Sequence, residues 1–99
     1  MFNKPIPANN GKNKFKIVLR KDNKKVKTIY FGALGYQHYT SEHLDETRKA
    51  NYINRHKSNE NWNNELTAGY YAYNYLWRFK TLSEANKWLS NDLKLKGYS

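Results

Sequence analysis

From Lys14 to Phe31 apolar and polar residues alternate along the chain. Phe15, Ile17 and Leu19 share one side of a strand, and Lys16, Val18 and Arg20 share the other. Beyond Asp22-Asn23, the run Val26, Thr28, Tyr30 alternates with Lys27, Ile29, Phe31. Asn and Asp tolerate the positive φ of a two-residue hairpin turn. A turn at Asp22-Asn23 pairs Leu19 with Val26, Ile17 with Thr28 and Phe15 with Tyr30. The predicted hairpin (residues 14–31) therefore turns those six side chains inward. It leaves Lys16, Arg20, Lys25 and Lys27 outside, around Val18 and Ile29. Two strands alone are marginal in water, so the apolar face needs a helix or the edge a partner.

After the hairpin the period changes to that of helices. Asp45 caps a helix running to about Lys57, with Glu46 in its first turn and Leu44, Thr47, Ala50 and Ile53 as a weak inner stripe. Leu66 to Phe79 holds four of the nine tyrosines. Its spacing places Ala68, Ala72, Tyr75, Leu76 and Phe79 on one face, and rings cover most of the remainder. A helix this aromatic in a short chain must be wrapped by its neighbours, with hydroxyls reaching polar partners at the edge. Thr67 or Asn64 caps it. The last helix, 82–96, opens on the capping box Thr81-Leu-Ser-Glu84, buries Leu82, Ala85, Leu89 and Leu93 beside Trp88, and closes at Gly97.

The connections are legible too. Residues 1–13 contain both prolines and no periodic pattern, which predicts an extended arm anchored only by Phe2 and Ile6. Phe31 to Thr40 is a glycine-hinged loop that turns the chain toward the first helix, with Tyr36 and Tyr39 against the core; it lacks the spacing of a phosphate loop. Residues 58–65 form a polar loop pinned by Trp62. The expected architecture is α+β: one domain, residues 14–99, in which an N-terminal β-hairpin packs on a cluster of three helices, about 45–57, 66–79 and 82–96.

Charge adds a polarity to this body. The formal net charge is +10, and residues 1–31 carry nine Lys/Arg against Asp22 alone. Such a concentration makes a local field for polyanions. Lys12, Lys14, Lys16, Arg20, Lys21, Lys24, Lys25 and Lys27 are the candidate contacts to nucleic-acid phosphates. The competing explanation is an AT-rich genome, since fourteen of eighteen basic residues are Lys and there are fourteen Asn. With no cysteine, disulfides and thiolate metal sites are excluded and a reducing compartment is the simpler expectation. No apolar run spans a membrane and the N-terminus lacks the centre of a signal peptide, so a soluble, non-secreted protein is expected.

Several words recur in order along the middle of the chain: Phe31-Gly32-x-x-Gly35-Tyr36-x-x-Tyr39-Thr40, Arg48-x-x-x-Tyr52-Ile53-x-Arg55-His56, Glu60-x-Trp62, Thr67-Ala68-Gly69 and Leu76-Trp77. Over roughly residues 29–90 the set resembles a family of small uncharacterised proteins of giant and other large DNA viruses. His38 stands where that family usually carries an acidic residue, and Lys80 where it usually carries proline. The resemblance implies a viral setting and a shared fold, and hence a place in the virion or the infected-cell cytoplasm.

The remaining polar residues have two readings each. Arg48, Arg55, His56 and Glu60 can grip phosphate, or can form a structural lattice in which Arg55 pairs with Glu60 or Glu65; the lattice is favoured, because carboxylates weaken an anion site. An enzyme built on those four residues requires them to converge on an open cleft. His38, His43 and His56 have only Glu42, Asp45 and Glu60 near them in sequence, so neither a metal nor a cofactor is expected. Tyr30, Tyr36, Tyr39 and Trp62 are possible base-stacking platforms, although a core this small is expected to claim Tyr30 and Trp62. The leading expectation is a non-enzymatic virion component that contacts nucleic acid through its arm and hairpin. The alternative is a minor capsid or cement protein docking by strand addition. Exposure of Val18 and Ile29 together at an open edge would favour that alternative.

Overall fold

The computed structural model describes residues 4–58 and 62–98; Phe2 and Glu60 lie outside them. Strand β1 (Ile6–Pro7), β2 (Asn13–Lys21) and β3 (Lys24–Ala33) form an antiparallel sheet in the order β1-β2-β3. Helix α1 (Glu46–His56) follows a π-helical turn at Tyr39–His43. Helix α2 (Ala68–Tyr71) continues as a π-helical segment, Ala72–Trp77, and α3 (Leu82–Leu95) closes the chain. This is the expected α+β class, with the arm added: Ile6 and Pro7 pair with Lys16 and Phe15, and Ala8 is buried.

The turn forms where expected, with φ of 51° at Asp22 and 63° at Asn23. The register beyond it differs. Lys21 pairs with Lys24 and Arg20 with Lys25, but Leu19 then pairs with Lys27, Ile17 with Ile29 and Phe15 with Phe31. A bulge at Val26 has inserted one residue into β3. Because side chains alternate with period two, that single residue moves the inward set from Thr28 and Tyr30 to Ile29 and Phe31. The exchange buries an isoleucine and a phenylalanine in place of a threonine and a tyrosine, so apolar area favours it. Phe31 is 2% exposed, whereas Tyr30 is 43% and Val26 48% exposed.

Ile17, Leu19, Ile29 and Phe31 meet Tyr70, Tyr71, Tyr75 and Leu76 from the aromatic segment, and Ala85, Leu89 and Leu93 from α3. The rings of Phe31 and Tyr75 cross edge to face at 5.9 Å. The segment is swallowed as its composition demands, and through a wider face than spacing indicates: Tyr75 and Leu76 are buried and Phe79 packs on the core, as expected, but the buried set extends beyond that stripe. Ala68 is exposed and Phe79 only half-buried, while Tyr70, Tyr71 and Asn74 are inside. Part of the reason is the wider turn, in which the Arg78 N–H donates to the Tyr73 carbonyl five residues back (2.9 Å). Buried hydroxyls find partners: Tyr71 donates to the Glu65 carbonyl (2.7 Å), Tyr98 to the Glu65 carboxylate (2.9 Å), and Tyr70 to Asp92.

The caps follow the sequence. Asp45 accepts from the N–H groups of Thr47 and Arg48, Thr67 from that of Tyr70, and Thr81 from that of Glu84. At Gly97 (φ 93°) α3 ends in a full Schellman motif. Tyr98 N–H donates to Leu93 O, Gly97 N–H donates to Lys94 O, and the Tyr98 ring is buried. The α1 stripe is different from expectation, since Leu44 and Ala50 are exposed and Tyr52 is the buried residue. Its ring lies flat on Trp77 at 4.3 Å, and the His56 imidazole stacks on it at 4.4 Å. In the preceding loop Tyr39 is buried, as expected, and Tyr36 is not.

Burial pushes the Tyr71 hydroxyl far above the ordinary tyrosine value, and raises Tyr75 and Tyr98 as well. A folded value above the unfolded one gives stability that is complete below pH about 10 and lost as pH rises past it. Alkaline titration should therefore show these tyrosines ionising abruptly, together with loss of circular dichroism. A gradual, unfolding-free titration would show that the rings are not enclosed.

Candidate nucleic-acid interface

The end of β3, the following loop and α1 diverge to leave a groove of about 730 Å³, within the roughly 300–1,000 Å³ range of ligand clefts. One wall is Asn13, Lys14, Tyr30 and the loop residues Tyr36, Gln37 and His38; the other is the α1 face bearing Arg48, Asn51, Tyr52, Arg55 and His56. Ala68, Gly69, Ala72, Leu76 and Trp77 form its base. Three devices hold the walls. Thr40, fully buried, donates to the Phe79 carbonyl (2.6 Å) and ties the loop to the end of the aromatic segment. Lys49 donates to the Arg78 carbonyl (2.9 Å) and lies over the Tyr39 ring, and the Tyr52–Trp77 stack seats α1.

Arg48 donates across the groove to Gln37 Oε1 (2.9 Å). Lys14 Nζ lies 2.8 Å from His38 Nδ1 and 3.6 Å from Glu42, whose carboxylate also stands 3.0 Å from the same imidazole nitrogen. Burial, then the Lys14 ammonium, pushes His38 below the ordinary histidine range against the pull of Glu42. Among the described residues, Asp, Glu, Ser, Thr and Cys are all missing from the groove lining. The site thus offers cations, amide donors and ring faces. It suits the holding of an anion more than the activation of a nucleophile.

Arg48, Arg55 and His56 do share one cleft. The lattice pairing of Arg55 with Glu65 is not formed, and Glu65 instead accepts from the Tyr98 hydroxyl; Glu60 lies outside the described residues. The core claims neither of the two rings expected there: Trp62 is half-buried, stacked flat on Tyr73 at 4.2 Å outside the core cluster, and Tyr30 stays outside through the bulge.

The hairpin cations divide. Lys14, Lys16 and Arg20 alternate with buried Ile17 and Leu19, so they line the outer sheet face, and Lys14 joins that row to the groove. Lys21 and Lys27 go to the inner side, Lys21 over the Tyr98 ring (4.5 Å) and Lys27 donating to the Leu66 carbonyl (3.1 Å). Lys12, Lys24 and Lys25 are exposed around the strand ends. Ile29 is in the core, so it and Val18 are not exposed together. The groove itself had no single signature in sequence: Lys14, Tyr36 and Arg55 meet only because the sheet, loop and helix fold over one another. His38 and His56 line the same groove and His43 packs on Trp77 at 5.4 Å, and among the described residues no group of three or more His, Cys, Asp or Glu gathers to hold a metal. No helix among them is long and apolar enough to cross a membrane.

Neither a curated protein nor a solved structure matches the chain. Residues 6–56, a span that includes the sheet, the loop and α1 with Arg48, Arg55 and His56, match the family model described as a family of unknown function (DUF5754). The match covers more than half of the chain, and the protein belongs to that family.

Proposed function

We propose that this protein is a non-enzymatic nucleic-acid-binding protein that contacts phosphates without reading sequence. In the viral setting implied by the sequence resemblance, its place is a nucleoprotein or virion component. The observation carrying this reading is the row of cations on the outer sheet face, Arg20 and Lys16, leading through Lys14, which also pairs with Glu42, into a groove whose lining among the described residues has Arg48 and Arg55 and no acid. A polyanion laid along that path displaces counterions, so binding must weaken with salt.

Affinity for a mixed-sequence duplex should fall linearly on a log–log plot against salt, at about 0.9 per neutralised phosphate. Lys16→Ala and Arg20→Ala should each reduce the slope by about that amount, measured by fluorescence anisotropy. Absence of binding at low salt, or an affinity indifferent to salt, would end the proposal.

A second reading retains one supporting feature. The outer edge of β3 has no strand beside it among the described residues, and Val26 and Tyr30 are exposed there. A capsid-type partner adding a strand would use that edge. Charge substitutions on β2 would leave such an association intact, which separates the two.

A further inference from the structure

We propose that the groove is a site for single-stranded nucleic acid, taking unpaired bases on Tyr36 and Tyr30 and phosphates on Arg48 and Arg55. The inference rests on the nucleic-acid reading above and narrows it to one class of strand.

The two tyrosines are anomalous in this chain. Its other described tyrosines are buried or half-buried, yet Tyr36 is 74% exposed and Tyr30 43%, and both line the groove. Keeping a tyrosine ring in water gives up the stabilisation that burying it would bring. An unpaired base recovers that area by stacking, and any base serves because each has a π-face. In a duplex those faces are already covered by neighbouring bases, so a double helix has nothing to offer these rings.

The facing wall supplies the phosphate contacts. Arg48 and Arg55 lie two turns apart on α1, about 10 Å along its axis, which suits successive phosphates of a strand more than a single anion. Both residues are exposed, and the described residues include no carboxylate paired with either. The Gln37 bond uses one Arg48 donor and holds the guanidinium toward the tyrosine loop, so the fork is set before a ligand arrives. Lys14, shared with Glu42 and His38, contributes less charge to the groove than either arginine.

The test compares a short oligothymidylate with a mixed-sequence duplex of equal length, by anisotropy at one low salt concentration. Tyr36→Ala should weaken the oligothymidylate about 5- to 100-fold, the range of one lost stacking platform, and leave the duplex within about twofold. Tyr36→Phe keeps the ring and should retain the affinity. Arg55→Ala should reduce the salt slope for the oligothymidylate by about 0.7. Equal losses on both ligands, or no loss on either, overturn the site. Duplex binding without oligothymidylate binding removes the groove assignment and leaves the nucleic-acid reading standing. Failure of both ligands to bind at low salt removes the two together.

Discussion

Phe31→Ala should lower the free energy of unfolding by about 3–5 kcal/mol, while Tyr30→Ala should cost about 1 kcal/mol or less. The two residues are adjacent and similar in size, and only the strand register separates them. Phe31 is enclosed by Phe15, Tyr71 and Tyr75, with ring centroids 5.7–5.9 Å away. Removing it leaves a cavity between sheet and helix that the surrounding rings cannot fill without leaving their own positions. Tyr30 stands at the groove mouth and loses little on truncation. Domains of this size hold about 5–15 kcal/mol in total, so the first substitution removes a large fraction of the margin. Urea denaturation of both variants decides the matter. The reverse order of losses would mean that the hairpin has no bulge and that Tyr30 is the inward residue.

The second large effect is expected at Gly32. Its φ is 77°, and a β-carbon there would come within 2.9 Å of Leu76 Cδ1 and 3.3 Å of Lys14 Cβ. Gly32→Ala therefore combines a left-handed backbone penalty of about 1–2 kcal/mol with overpacking of about 1–3 kcal/mol. At Gly35, with φ 85°, a β-carbon would meet nothing within 4 Å, so only the backbone cost applies. Gly32→Ala should thus destabilise by about 2–5 kcal/mol and Gly35→Ala by only about 1–2 kcal/mol. Equal losses in the two variants would show that β3 and the aromatic segment do not approach so closely. Because Gly32 lies between Lys14 and Leu76 at the groove base, the same substitution should also disturb ligand binding there.

Helix ends, turn and class were written in local chemistry. Asp45, Thr67 and Thr81 cap because a short oxygen-bearing side chain reaches free N–H groups within its own turn, and Asp22-Asn23 turns because both residues accept positive φ. The aromatic segment had to be interior because its composition allowed nothing else. Of the face it buries, Tyr75 and Leu76 were legible and Tyr70, Tyr71 and Asn74 were not, since a wider π-helical turn breaks the spacing on which a helical projection depends. The register failed for a similar reason. Alternation is identical for both faces of β3, and one inserted residue, Val26, chooses between them according to the area buried against helices far away in sequence.

Of the candidate site, the residue types were visible and their meeting was not. Arg48, Arg55 and His56 share a helix face by spacing alone. That Lys14, Tyr30 and Tyr36 face them, and that Glu65 is taken away to Tyr98, depends on how three separate elements dock. By itself the sequence determined the α+β class, the caps, the turn and the basic N-terminal third, because each follows from contacts within a few residues or from composition. The strand register, the exposed tyrosines and the arginine-lined groove were decided by tertiary structure, because each compares energies of packing between segments that the order of residues does not bring together.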